Sequence, residues 1–255
     1  MRIYLILSFF ILSIFNTFGQ DNTTIHRLLD SISHEKDPGQ KARMLYDAAK
    51  CYLEKPGESK KDLDSALWLN RTSQKLHLSA NLKTEAALNM LLDAHIQEEM
   101  GKPDLAKSQK KASLLFANTH QLAKASAMIY LSMANDIKDV DFHQKTSLFQ
   151  QALEQAKKTS DKSLEPKILM EQSSFLSNYG DYKGAIETAH RAAVLKKQTG
   201  DKNISQELVS VAGNLRMLLR LKEALKYALE ARRVVENENT TTTKDDLAAV
   251  YNIVG

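Results

Sequence analysis

Small residues return along this chain with a period close to forty. That rhythm limits the fold more than any other feature of the sequence. Ala185, in the stretch GDYKGAIETA, is followed by Ala189 and Ala192. Thirty-nine residues on, LRLKEALKYALEA places Ala224, Ala228 and Ala231 at the same spacing. Ala66, Ala106 and Thr146 hold the slot upstream, so the series 66, 106, 146, 185, 224 advances by 40, 40, 39 and 39. A second series, Ala94, Ala134, Ser173 and Ala212, runs twelve residues ahead of the first. Its counterpart in the first repeat is Ala49, seventeen ahead of Ala66. The five extra residues fall at EKPGESK, where Pro56-Gly57 marks a longer turn. A fixed period of this length is the sequence sign of stacked supersecondary units.

The units are helical. Glycine (9) and proline (4) are too scarce for a chain of many short strands, and Leu, Ala, Lys, Glu and Gln dominate. A short turn such as Asn178-Tyr179-Gly180-Asp181 makes the two helices of a unit antiparallel neighbours. Where their axes cross, a large side chain would hold them apart, and Ala or Ser lets them approach. Ile186, Val194, Leu195, Leu225 and Val234 are expected to fill the space beside the crossing. Trp68 and Tyr130, at helical spacing from Ala66 and Met133, are expected in the core. The linkers KKTSDKS (157–163) and KKQTGDKN (196–203) are nearly the same string. In them Gly200 suits a left-handed helix stop, and Asp161 or Ser163, and Asp201 or Asn203, suit caps for the following helix.

The first residues set a compartment. Met1-Arg2 precedes an apolar run from Ile3 to Phe15, and Thr17-Phe18-Gly19 offers small residues at a cleavage site before Gln20. This predicts a signal peptide over 1–19, the run being shorter than the ~20 residues that span a bilayer. No later segment approaches transmembrane length. Without Arg2 the mature chain carries 34 basic and 31 acidic residues, interspersed, so a nucleic-acid partner is not expected. The single cysteine, Cys51, cannot form an internal disulfide and is expected to be a small apolar residue of a helix.

No catalytic or cofactor pattern stands out. The seven histidines (26, 34, 77, 95, 120, 143, 190) lack a second ligand type at metal spacing. There is no glycine-rich phosphate loop and no G-x-S-x-G elbow. The expectation is therefore no enzyme, no cofactor and no metal.

The pattern of a small residue, then Gly-x-Tyr, then alanine and a second alanine seven on resembles the tetratricopeptide repeat. Ser173, Gly180, Tyr182, Ala185, Ala189 and Ala192 carry it, as do Ala212, Leu221, Ala224, Ala228 and Ala231, and, more loosely, Ala94, Gly101, Ala106 and Ser113. The final YNIVG is similar to the start of another unit. The resemblance covers 39–255, about five units plus the start of a sixth, with 20–38 as a leading capping helix and linker. It implies an all-α, right-handed superhelical solenoid of antiparallel helix pairs. It also implies a concave groove lined by the first helix of each pair, where a protein or peptide binds. By the family register that groove includes Leu91, His95 and Glu98, then Met170, Ser174 and Ser177, then Val209, Gly213 and Arg216. The lysine–asparagine carboxylate clamp known in one groove type is absent from these positions. A secreted start with repeats near forty residues also resembles the periplasmic sensing region of bacterial sensor histidine kinases or regulators. The alternative is a free-standing periplasmic or secreted interaction protein.

Overall fold

A computed structural model describes residues 25–55, 57, 59–137 and 141–237. The signal-peptide reading and the YNIVG reading lie outside these residues. Among the described residues the chain is all-helical: α1 (25–34), α2 (Pro38–Leu53), α3 (Lys60–Ser79), α4 (Lys83–Glu99), α5 (Pro103–Thr119), α6 (Ala123–Asp136), α7 (Phe142–Lys157), α8 (Leu164–Tyr179), α9 (Tyr182–Gln198), α10 (Ser205–Met217) and α11 (Leu221–Asn237). The chain divides into two compact units, the boundary in sequence falling between Ala125 and Ser126. In each, helices pack on their neighbours in sequence: α2 on α3, α3 on α4 and α4 on α5 in the first, and α7 through α11 in the second. The first helices of successive pairs also touch, α2 with α4 and α8 with α10. This is solenoid-like packing.

Local chemistry starts several helices. Asp37 Oδ1 accepts from Gln40 N at 2.6 Å, with Pro38 in the first turn of α2. Ser59 and Asp62 close a reciprocal capping box on α3. Asp181 Oδ1 accepts from Gly184 N at 3.0 Å on α9. A Cβ at position 184 would press on that carboxylate, so a larger residue there would make the Asp181 side chain shift. Gly200 takes φ +82° at its helix stop, as its place in the linker predicts. Of the predicted caps, Ser163 takes the N-cap position of α8 but its side chain makes no cap bond, and Ile204 takes that of α10. Asp161 binds Ser163, and Asp201 binds Asn203, inside their own loops. No side chain caps α8 or α10.

The alanine slots lie where the helices cross. Ala49, Ala66, Ala94, Ala134, Ser173, Ala185 and Ala212 are each 0% exposed. The approach is close enough for hydroxyls to reach the facing backbone. Ser173 Oγ donates to Ala185 O at 2.8 Å, Ser73 Oγ to Ala42 O at 2.7 Å, and Ser113 Oγ to Ala87 O at 2.9 Å. The donors Ser73 and Ser113 stand forty residues apart and their acceptors five more. That is the insertion at EKPGESK.

Other expectations are corrected. Ile186, Leu195 and Val234 pack against the core as expected, but Val194 and Leu225 are exposed, and Ala193 and Tyr227 pack beside Val234. Trp68 is 66% exposed, because it points away from the stripe formed by Leu63, Ala66 and Leu69. Tyr130 does pack against the core of the second unit. Thr146 is only half-buried, while its neighbour Lys145 is buried, with Nζ 3.2 Å from Ile137 O and 4.9 Å from the centre of the Phe175 ring. Here the core is aromatic: Phe149 lies 5.8 Å and Phe142 lies 5.3 Å from Phe175, ring centre to ring centre.

The joints between pairs hold buried polar partners. His77 of α3 stands eleven residues after Ala66, and Asn89 of α4 stands five before Ala94; their polar atoms meet at 2.7 Å. Lys196 of α9 and Glu207 of α10 occupy the same register positions, and they too meet at 2.7 Å. His77, Asn89 and Glu207 are each 1% exposed or less.

Candidate functional site

The first-helix face of the first unit opens into a cavity of about 180 Å³ lined by Arg43, Tyr46, Asp47, His77, Glu85 and Leu88. Helix periodicity puts these residues together. Arg43, Tyr46 and Asp47 are one turn apart on α2, Glu85 and Leu88 one turn apart on α4, and His77 comes from the last turn of α3. Arg43 stands six residues before Ala49, and Leu88 six before Ala94, so the repeat itself delivers both to one face.

Behind the cavity is a polar cluster. Asn70 Nδ2 donates to Asn89 O at 2.9 Å; Asn89 Nδ2 donates to Asn70 Oδ1 at 2.7 Å and lies 3.2 Å from Asn70 O. The remaining end of the Asn89 amide meets His77 Nδ1. His77 Nε2 is buried without a hydrogen-bond partner. Most buried polar atoms are paired, so an orphan of this kind stands out. At the rim, Arg43, Asp47 and Glu85 make no ion pair with any described residue. Burial, with Asp47 and Glu54 nearby, pushes the Tyr46 hydroxyl up to about 12, so it stays protonated at physiological pH.

The residues expected to line the groove fall in several environments. Leu91 is 5% exposed and belongs to the core, because α4 turns it toward the interior. His95 is half-buried, and burial, helped by Lys110, pulls its imidazole down to about 4. Glu98 is exposed and accepts from the Lys110 ammonium at 3.0 Å. In the second unit Met170 is half-buried against the core, Ser174 is exposed with its hydroxyl on Met170 O at 3.1 Å, and Ser177 is half-buried. Val209 is partly buried, Gly213 faces open space, and Arg216 is exposed. The Ser173 and Ser210 hydroxyls, 3.3 Å apart, hold α8 beside α10 and so bring these two triplets to neighbouring helices. The cavity residues Arg43, Tyr46, Asp47, His77, Glu85 and Leu88 were not legible as a set, since His77 comes from a second helix. Among the described residues no group of three His, Cys, Asp or Glu could hold a metal ion, and no helix is long and apolar enough to cross a membrane.

No family model and no curated protein matches the sequence. Among solved structures, the chain is similar to BtubC (BKLC) from P. vanneervenii, with a TM-score of 0.62. The match covers 90% of this chain and 94% of that one, at 15% identity. The likeness is one of fold. It agrees with the helix-on-helix packing of both units and carries nothing about ligands.

Proposed function

We propose that the chain is an exported tetratricopeptide-like scaffold that binds a protein or peptide on its first-helix face, as the sensory or interaction region of a bacterial envelope signalling protein. The repeat pattern and the signal-peptide reading support the scaffold and its compartment. One observation carries the binding reading: the face between α2 and α4 is open, and its rim charges of both signs find no ion-pair partner among the described residues. Side chains that neither pack nor pair inside a fold are available to an outside surface. Peptide recognition by helical grooves uses such a mixture of apolar wall and fixed charge.

The test is a photocrosslinking amino acid placed at Leu88 in living cells, with Lys107 on the outer helix α5 as the control position. A discrete adduct from position 88 and none from position 107 is the expected result. No adduct from either, or the same adduct from both, refutes the reading. The signalling part is tested separately by fractionation, using an antibody to residues 180–200. A membrane band much larger than 28.7 kDa is expected of a receptor, and a soluble band of that mass refutes it.

A further inference from the structure

We infer that the outer face of the first unit holds a second binding site, a groove beside Trp68 and Asp64 that takes an arginine side chain of a partner polypeptide. It is independent of the first-helix reading. Trp68 stands nine residues before His77 on α3, about two and a half turns, so it faces the other way. The inference starts from the indole. In other repeats the slot two after the small residue of the second helix holds Ser108, Glu187 and Lys226, all exposed, and the buried Leu148 in the repeat at 146. The repeat therefore asks for no exposed aromatic there. Trp68, 66% exposed, nevertheless leaves a large apolar surface in water at that slot. It does not belong to the core cluster that Ala66, Leu67 and Leu69 join. Tryptophan, tyrosine and arginine are the residues that most often anchor one protein on another, and such anchors tend to face each other.

The surroundings specify the chemistry of the partner. Ser65, Trp68 and Leu69 of α3, Tyr52 of α2 and Leu29 of α1 line a groove of about 350 Å³, within the ~300–1,000 Å³ range of ligand sites. Asp64 lines it too, one turn before Trp68, a spacing that sets their Cβ atoms about 5–6 Å apart. Asp64 is exposed and makes no hydrogen bond or ion pair with a described residue, and the Tyr52 hydroxyl makes none either. Ser65 Oγ donates to Lys61 O at 2.8 Å, which leaves it only lone pairs to offer. The lining thus has an aromatic surface, acceptors and one negative charge, and among the described residues no cation. Lys60 and Lys61 stand outside it. A cation is the complement of such a lining. A guanidinium fits better than an ammonium, because it is planar and weakly hydrated, stacks on an indole and forks onto a carboxylate at the same time. A neutral sugar uses the aromatic surface and leaves the charge unmatched.

The chain has a single tryptophan, so its emission reports this groove alone. The test is fluorescence titration of the full chain with blocked tripeptides, in which glycines flank arginine, lysine or citrulline, and with maltotriose. A saturable change is expected with the arginine peptide. Its midpoint should lie about tenfold below that of the citrulline peptide, which keeps the shape and loses the charge. The lysine peptide is expected to fall between them. Asp64→Asn should weaken the arginine peptide about fivefold, the share of an exposed ion pair, and leave the citrulline peptide unchanged. Asp104→Asn, which removes an exposed carboxylate on α5, is the control and should change nothing. No saturable change with arginine, a citrulline or lysine midpoint at or below the arginine one, or an arginine midpoint unmoved by Asp64→Asn overturns the inference. A saturable response to maltotriose at or below the arginine midpoint overturns it in favour of a sugar. The crosslink at position 88 probes the other face, so peptide binding there stands or falls separately.

Discussion

Replacing Ala185 by leucine tests the reason given for the whole repeat. Ala185 is fully buried where α9 crosses α8, and its carbonyl accepts from Ser173 Oγ at 2.8 Å. Leucine would add three carbons at a point where the backbones already touch through a hydroxyl. Overpacking of this kind costs about 1–3 kcal/mol. Moving α8 away also breaks the Ser173 bond inside the core, costing about 1 kcal/mol more. The expected loss is therefore about 3 kcal/mol. The control is Val194→Leu on the same helix, an exposed position expected to change stability by less than about 0.5 kcal/mol. Urea unfolding of both variants, followed by circular dichroism, measures the difference from the midpoints. A loss below about 1 kcal/mol for Ala185→Leu, or equal losses for the two, would refute the close-crossing explanation of the small residues.

Three further outcomes follow from single positions. Leu219 takes φ +58° and is 82% exposed at the turn where Gly101 and Gly180 stand in other repeats; Leu219→Gly should raise stability by about 0.5–1 kcal/mol, the left-handed penalty less the glycine entropy, as read by thermal unfolding. His95 has its pKa held at about 4, below its ordinary 6.5, first by burial. The unfolded chain takes up that proton earlier as pH falls, so this stability is complete above about pH 6.5 and is lost on the way down to about pH 4. The span is about 2–3 kcal/mol, and His95→Gln should remove that leg from a stability–pH curve. Lys196→Met should strand the buried Glu207 and cost about 3–5 kcal/mol, and adding Glu207→Leu should restore most of it in the same urea assay.

Much of the packing was legible because it depends on one repeated requirement. Close crossings need small residues at fixed spacing, and Ala66, Ala94, Ala134, Ala185 and Ala212 show that spacing openly. Side-chain direction was harder. Val194 follows two core alanines and still faces solvent, since one step along a helix turns a side chain by about a hundred degrees. Leu91 fell to the same kind of error, one step from an open face. The polar cluster of Asn70, His77 and Asn89 was hidden for another reason. Its members stand on two helices, and each alone looks like an ordinary surface residue. The slot four after the small residue could have hinted at it: Asn70, Lys110 and Gln150 stand there, where the last two repeats have Ala189 and Ala228.

The matched joints His77–Asn89 and Lys196–Glu207 act as addresses. Apolar joints between similar helix pairs would accept almost any neighbour, which is the characteristic hazard of repetitive chains during synthesis and between copies. These two joints do not. An α9 docked on α4 would leave the Lys196 charge facing a neutral amide already engaged by Asn70, and would leave Glu207 without its cation. A helix pair from elsewhere in the chain inserted at either joint would separate both members of a buried couple. At these two seams the order of neighbours is therefore written into the sequence.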